Sequence, residues 1–383
     1  MISSIVKTIK KEHTIIGIMS GTSLDGLDIA YCGFSYNETL KHWDFQIKET
    51  KEIPYTTAWQ ERLQNSIHLS ALDLLVLHQE YGKWLGEQCL LFKQNHQIPN
   101  TVPIASHGHT VFHQPTDKGI TFQIGHGQYL ANAALSTVVC DFRTQDVSLG
   151  GQGAPLVPIG DQLLFSSYTI CVNLGGIANL SYYDVSCDKR IAYDVTIVNM
   201  AFNYMAKELG VAYDKGGHLA KSGTINTVLL EQLNRLDFYQ KSFPKSLGVE
   251  WFNQSVLPLI IACDDTPHNI LRTLLEHSVI QLATCLQSAK IVSKKTPSDS
   301  KISVLCTGGG AKNTFYIERL QQVLSSYSLE VIVPDSQIID YKEALIFGFF
   351  GILRLQNQPN CFASVTNCIQ DHSSGVVYTP AIQ

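Results

Sequence analysis

Apolar residues recur at helical spacing over residues 55–64 and again over 69–94, the second stretch through Leu72, Leu75, Leu77, Tyr81, Leu85 and Leu90. Short apolar runs around them (14–16, 29–34, 102–106, 121–125 and 137–140) read as strands, with a short helix over 128–134. Residues 141–155 have no apolar period and carry three glycines within four positions, which predicts a hinge and active-site loop between two lobes. The pattern then restarts. Residues 168–183 read strand, glycine turn, strand, and a helix follows over 197–209 through Met200, Tyr204, Met205 and Leu209. A long helix over 267–292 runs into a polar Ser/Lys/Pro linker at 293–300. A strand over 301–306, a glycine triplet, a helix over 314–325 and an apolar helix over 344–353 complete the sequence of elements. The turn around Gly21 and the turn at Gly175-Gly176 each sit in the first hairpin of a lobe, a weak internal repeat; no short fixed period points to a solenoid.

At 383 residues the chain exceeds one ordinary core, and about 150 residues per domain gives two or three. A hydrophobic fraction of 45% with 16% charged residues is that of a well-buried protein, and a net charge of −5 argues against nonspecific nucleic-acid binding. No apolar run reaches the ~18–20 residues of a membrane span. Lys7, Lys10, Lys11 and Glu12 precede the first strand without an apolar region or cleavage site, so no secretion signal is expected. The ten cysteines are scattered, none in a Cys-x-x-Cys pair, which predicts reduced thiols and a cytoplasmic location.

Three glycine turns carry the candidate chemistry. Gly-Ile-Met-Ser-Gly-Thr-Ser-Leu-Asp-Gly-Leu-Asp (17–28) joins two strands, so its N–H groups and the Thr22 and Ser23 hydroxyls can converge on phosphate oxygens. Asp25 or Asp28 could hold a divalent cation through water. The chain contains no Walker loop, and a plain hairpin is the competing explanation of this turn. Asn173-Leu-Gly175-Gly176 and Gly308-Gly309-Gly310 also end strands, and the last leads toward a helix N-terminus. His107, His109 and His113 are irregularly spaced and lack an adjacent acid or cysteine, which disfavours zinc.

With these turns in place, the chain resembles the actin-like, sugar kinase and Hsp70 ATPase superfamily, and more narrowly the anhydro-N-acetylmuramic acid kinases. The resemblance runs in order from about Ile16 to about Tyr378. It rests most specifically on Met-Ser-Gly-Thr-Ser-Leu-Asp-Gly (19–26) and Gly-Gly-Gln-Gly-Ala-Pro-Leu (150–156), and continues through Ser106-His107-Gly108, Asp141-Phe142-Arg143, Tyr213-Asp214, Ser222-Gly223, Pro244-Lys245-Ser246 and Lys342-Glu343-Ala344. It implies an α/β fold of two actin-like (ribonuclease H-like) lobes with a nucleotide cleft between them. The expected division is 1–142, 143–371, and a segment 372–383 returning to the first lobe. It implies ATP and Mg²⁺ as cofactors, an amino sugar as partner with no nucleic acid or membrane, and leaves a homodimer open. The implied reaction phosphorylates the 6-hydroxyl of 1,6-anhydro-N-acetylmuramic acid while water opens the anhydro ring.

The resemblance also assigns residues. ATP and its phosphates would contact Gly21, Thr22, Ser23, Leu24, Asp25, Gly26, Leu27, Asp28, Asn173, Gly175, Gly176, Gly308, Gly309 and Gly310. The sugar would contact Ser106, His107, Arg143 and Glu343. Asp194 would be the catalytic base for the attacking water, against the plainer reading that it caps the following helix. Arg143 would grip a lactyl carboxylate or form a surface ion pair; Glu343 would be a sugar or water ligand or the partner of a buried group. The chain departs from the family where Gly-Pro-Gly has become Thr196-Ile197-Val198, a helix aspartate has become Asn203, and two arginines have become Thr144 and Gln145. These changes, near the expected sugar position, bear on which sugar is taken. A kinase acting on another sugar and a non-catalytic ATP-binding switch are the alternatives.

Overall fold

The computed structural model describes residues 12–21, 24–243, 245–292 and 302–381. Contacts divide the chain into a first unit, Met1–Leu164 with Tyr341–Gln383, and a second unit, Phe165–Asp340.

In chain order the strands are β1 (Glu12–Ser20), β2 (Gly26–Asn37), β3 (His42–Pro54), β4 (Ile104–Ser106), β5 (His109–Gln114), β6 (Ile120–Ile124), β7 (Val138–Cys140), β8 (Ile170–Leu174), β9 (Ile177–Asp184), β10 (Lys189–Ile197), β11 (Ile302–Thr307), β12 (Leu329–Ile332) and β13 (Val376–Tyr378). The first unit holds a six-stranded sheet in the order β13-β7-β4-β1-β2-β3, with β5 and β6 as a separate hairpin. β1, β2 and β3 form an antiparallel meander, while β4 and β7 continue parallel from β1. The second unit repeats this plan as β10-β9-β8-β11-β12, again an antiparallel meander followed by two parallel strands. Two meander-plus-parallel sheets in one chain are the α/β architecture of ribonuclease H-like lobes.

Alternation along β1 explains how its sheet is covered. Ile16 and Ile18 face one way with Leu27 and Ile29, packing on Leu77, Tyr81, Leu85, Cys89 and Phe92 of the helix Ala71–Asn95. Ile15 and Gly17 face the other way, toward the helix Ser336–Leu355. A Cβ on Gly17 would stand 1.8 Å from the Ala344 carbonyl oxygen, so only glycine lets that helix approach the strand. The first turns of Ala71–Asn95 differ from expectation. Leu72 and Leu75, counted into the apolar stripe, are 71% and 53% exposed, and the buried face begins at Leu77. In the second unit one core joins the sheet to Leu271, Leu275, Val279 and Leu286 of Pro267–Val292 and to Tyr316 and Leu320 of Thr314–Leu324.

The segment expected as a hinge is fastened within the first unit instead. Residues Thr144–Ser148 form a short helix whose Asp146 is fully buried, accepting hydrogen bonds from Thr366 Oγ1 (2.6 Å) and the Gly153 N–H (2.7 Å). The helix Val157–Leu164 is tied in turn by a buried ion pair, Lys342 Nζ to Asp161 Oδ1 at 2.7 Å. These contacts carry the first unit past Phe142 to Leu164. The C-terminal β13 pairs antiparallel with β7 in the same unit.

Candidate functional site

In the second unit, the turn after β8 and the turn after β11 lie side by side, because the two strands run parallel with Asn173 opposite Thr307. Ends of parallel strands are where open α/β sheets seat ligands. The carbonyls of Gly175 and Gly176 are taken up by the N–H groups of Val198, Asn199 and Met200 at 2.9–3.2 Å, at the start of the helix Asn199–Glu208. Asn199 adds a side-chain bond, Nδ2 to the Leu174 carbonyl at 3.1 Å.

The glycines of these turns divide into two kinds. Gly308 has φ +79°, and a Cβ there would meet Asn173 Oδ1 at 2.5 Å; one on Gly310 would meet Leu174 Cβ at 2.8 Å. Those two let one turn pack on the other. Gly309 has nothing within 4 Å of its Cβ direction and Gly176 nothing nearer than 3.8 Å, so these two face open space.

Asp194 sits on β10 beside a β-bulge, where the pairing with β9 shifts between Asp194 and Thr196. Bulges re-aim side chains and are frequent next to active sites. The loop after Pro244 closes on it: the Asp194 N–H donates to the Lys245 carbonyl (3.2 Å), and the Leu247 N–H donates to Asp194 Oδ2 (2.8 Å). Burial holds the Asp194 carboxyl above its usual value, opposed by the Leu247 hydrogen bond. The capping role fails, because the helix begins at Asn199 and its N-cap Val198 offers no side-chain bond.

The departures at 196–198 are core positions. Thr196, Ile197 and Val198 are at most 4% exposed, and Thr196 Oγ1 meets the Tyr239 hydroxyl at 3.1 Å. Tyr239 reaches His277 Nε2 (2.9 Å), and His277 Nδ1 reaches Asn234 Oδ1 (2.7 Å). Burial pushes the His277 pKa down to about 3, so a neutral ring links this chain behind the bulge. Sequence reasoning missed Lys245, Leu247, Tyr239 and His277; Pro244-Lys245-Ser246 belonged to the resemblance but carried no role.

In the first unit, the β1–β2 turn is framed by Tyr55 N–H on the Asp25 carbonyl (3.2 Å) and Gln60 Nε2 on the Leu24 carbonyl (3.0 Å). Asp25 is exposed and its carboxylate accepts the Gly26 N–H at 3.0 Å. Asp28 is half-buried on β2, whereas the Leu27 side chain lies in the core. Leu24 takes φ +58°, and Gly21 keeps accessible backbone. Thr22 and Ser23 lie outside the described residues.

His107 follows β4 and is 5% exposed. Its Nδ1 donates to the Gly108 carbonyl (2.9 Å), so Nε2 accepts, and the Arg143 guanidinium takes it from Nε (3.0 Å) and Nη2 (2.8 Å). Burial and the neighbouring Arg143 hold the His107 pKa well below normal, which keeps the ring neutral. Arg143 Nη1 donates to the Gly153 carbonyl at 2.5 Å. Three of its five N–H groups are thus committed, and two have no hydrogen-bond partner among the described residues. His107 therefore aims Arg143, and the surface ion pair considered for Arg143 is absent among the described residues. Glu343 keeps exposed surface although protein atoms crowd its carboxyl; burial raises its pKa, with Arg143 and Lys342 pulling it down. Ser106 Oγ is buried without a hydrogen-bond partner among the described residues. His113 Nδ1 instead meets Thr121 Oγ1 at 3.1 Å, and His107, His109 and His113 form no metal-ligand group among the described residues.

No helix among the described residues is long and apolar enough to cross a membrane. Among solved structures, an activator of the 2-hydroxyisocaproyl-CoA dehydratase from Clostridium difficile with bound ADPNP is similar at 12% identity and a TM-score of 0.39, over 90% of this chain and 97% of that one. The anhydro-N-acetylmuramic acid kinase of Mannheimia succiniciproducens is 34% identical over 378 residues, covering 95% of this chain and 98% of its own. That of Vibrio cholerae is 33% identical over 388 residues, covering 97% and 99%. The family pattern described as anhydro-N-acetylmuramic acid kinase matches residues 13–380. The chain belongs to the anhydro-N-acetylmuramic acid kinase family.

Proposed function

We propose that this chain transfers the γ-phosphoryl group of ATP to the 6-oxygen of 1,6-anhydro-N-acetylmuramic acid, with hydrolytic opening of the anhydro ring, in the recycling of cell-wall sugars in the cytoplasm. Membership in the family supports the kinase activity and the substrate class. The observation that carries the ring-opening chemistry is Asp194, a half-buried carboxylate beside a bulge, held by the Leu247 N–H in the unit that bears two glycine turns.

The residues fit a nucleotide. Gly176 and Gly309 leave room for phosphate oxygens where a side chain would otherwise stand, at the ends of β8 and β11. Gly21, Thr22, Ser23, Leu24, Asp25 and Gly26 would hold phosphate in the first unit, with Asp25 and Asp28 as water-mediated ligands of Mg²⁺, whose hard-oxygen preference they match. Mg²⁺ bound there supplies charge neutralisation on the β- and γ-phosphates. The two uncommitted N–H groups of Arg143, aimed by His107, suit a sugar carboxylate. Glu343 and Ser106 would take hydroxyl or amide groups.

Asp194 accepts the proton of the water whose oxygen bonds to the anomeric carbon. The bridging oxygen leaves that carbon and becomes the phosphoryl acceptor. A raised pKa suits this base, since a carboxylate nearer the working pH holds the proton more firmly.

Incubation with Mg-ATP and the anhydrosugar should give a product heavier by one phosphate and one water. Asp194→Asn should retain nucleotide binding and lose turnover by at least about 10²-fold. A product that gains phosphate without water would reduce the reaction to ordinary hydroxyl phosphorylation. ATP hydrolysis indifferent to every sugar in a small panel would leave only a nucleotide switch.

A further inference from the structure

Within the first unit, residues 361–374 fold back on the segment that carries Arg143. Cys361 and His372 exchange backbone hydrogen bonds of 3.1 and 3.0 Å, which turns the chain toward Asp146. Asp146, Cys368 and His372 are 0%, 6% and 6% exposed, and a ligand atom from each lies within 4.8 Å of the others.

His372 Nε2 is buried and has no hydrogen-bond partner among the described residues. It stands 3.8 Å from Asp146 Oδ1, too far to share a proton. Ligands held about 2.0–2.3 Å from a tetrahedral metal stand roughly 3.3–3.8 Å apart, so that separation fits two ligands of one ion. His372 Nδ1 faces the Gln370 carbonyl at 3.2 Å and Cys368 Sγ at 3.8 Å, and the Cys368 thiol donates to that same carbonyl at 3.1 Å; a proton on Nδ1 shared with the carbonyl leaves the Nε2 lone pair toward the carboxylate. A backbone carbonyl on the far nitrogen is the usual support of a ligating histidine. The carboxylate is steadied by Thr366 Oγ1 at 2.6 Å and the Gly153 N–H at 2.7 Å. Gly151 closes the site: a Cβ there would stand 2.2 Å from Asp146 Oδ2 and 2.8 Å from Cys368 Cβ.

We propose that Asp146 Oδ1, Cys368 Sγ and His372 Nε2 bind a divalent cation of the zinc class. One oxygen, one sulfur and one imidazole nitrogen are a borderline-soft donor set that suits zinc and disfavours magnesium or calcium. On binding, the Cys368 thiol bond to hydrogen breaks, the proton goes to solvent, and the thiolate joins the ion. The thiolate and the Asp146 carboxylate then cancel the two positive charges in a buried place. The ion ties residues 361–374 to the short helix Thr144–Ser148, beside Arg143, and so braces the segment that holds that guanidinium.

The test uses the full chain without a histidine tag, stripped with a chelator and titrated with cobalt(II), then zinc(II). One equivalent of cobalt should bind with a thiolate-to-metal charge-transfer absorption, which zinc should displace. Cys368→Ser should abolish that absorption, and His372→Gln should weaken binding by at least about 10-fold. Cys187→Ser, at an exposed cysteine, should change neither. Cobalt that fails to bind the wild-type chain, binds without the thiolate absorption, or binds Cys368→Ser equally well would overturn the site. The wild-type spectrum decides the question even where a variant fails to fold.

Discussion

Asp194 takes its character from its surroundings: a bulge that re-aims it, burial that raises its pKa, and the Leu247 N–H that limits the rise. As the proposed base it would work deprotonated, so kcat/KM should climb with pH through that raised value. The acid limb of the profile should lie above the ordinary aspartate value of about 3.9 and vanish in Asp194→Asn. A limb at or below the ordinary value would remove burial as the tuning force. The glycines allow a second test at this scale. Gly309→Ala should leave thermal stability of the free protein within about 0.5 kcal/mol, since nothing stands near its Cβ, yet weaken ATP binding at least about 10-fold. Gly308→Ala, at φ +79° and against Asn173, should instead cost about 1–3 kcal/mol of stability. Equal effects from both would mean that neither glycine faces the nucleotide. The glycine triplet was visible in local pattern, and Asp194 only through the family resemblance, since its local pattern read equally as a helix cap. The sequence could not show that Leu247 closes on Asp194 from 53 positions away, or that His107 and Arg143 form one unit across 36. Those pairings exist only once strands and loops are assembled.

Elements were more legible where a period was long and ended by clear signals. The helix Pro267–Val292 is the one expected, and Ala71–Asn95 starts two residues later than expected because Ser70 caps it by accepting from the Asp73 N–H. The helix expected from residue 197 begins at Asn199, because β10 stays extended through the β-branched Thr196 and Ile197 and Val198 makes the turn before the helix, with Ile197 and Val198 filling the core. Less legible was the crossing of Ser336–Leu355 over β1, which depends on Gly17 having no side chain. Gly17→Ala should therefore destabilise the first unit by about 1–3 kcal/mol or more, as overpacking does. Lys342→Met on the same helix should cost about 3–5 kcal/mol by leaving the buried Asp161 without its cation. Adding Asp161→Leu should recover most of that loss. Urea midpoints of the two variants and the double variant measure this directly, and a double variant no better than Lys342→Met would mean the pair is held for more than charge balance.

Across the whole molecule, the repeat hinted at by Gly21 and Gly175-Gly176 is a repeated sheet order, yet the division after Leu164 was hidden because buried polar contacts of Asp146 and Asp161 decide it. The two units also differ in how they should answer to acid. The first buries His107 with its pKa well below normal and His109 at about 4, and it holds His78 at about 4 with His113 also lowered; in the second, His277 lies at about 3. A histidine kept neutral when folded but free to protonate near 6.5 when unfolded contributes stability that is present above that pH and lost as pH falls below it. A ring held at about 4, as His109 is, forfeits about 2 kcal/mol between pH 7.5 and 5. His109 alone should therefore remove about 2 kcal/mol from the first unit, against a usual total near 5–15, and His107 adds to the loss in the same direction. Glu343, with its raised pKa, opposes this by taking a proton more readily when folded, but it is one group against several. Trp43, Trp59 and Trp84 lie in the first unit and Trp251 in the second, so urea unfolding followed by tryptophan fluorescence in a Trp251→Phe chain reports the first unit. Its midpoint should fall clearly from pH 7.5 to 5, and His109→Gln should make that fall shallower by about 2 kcal/mol. A midpoint that stays level over that interval would show that these histidines are charged, or hydrated, inside the folded unit, and the neutral ring that aims Arg143 would go with them.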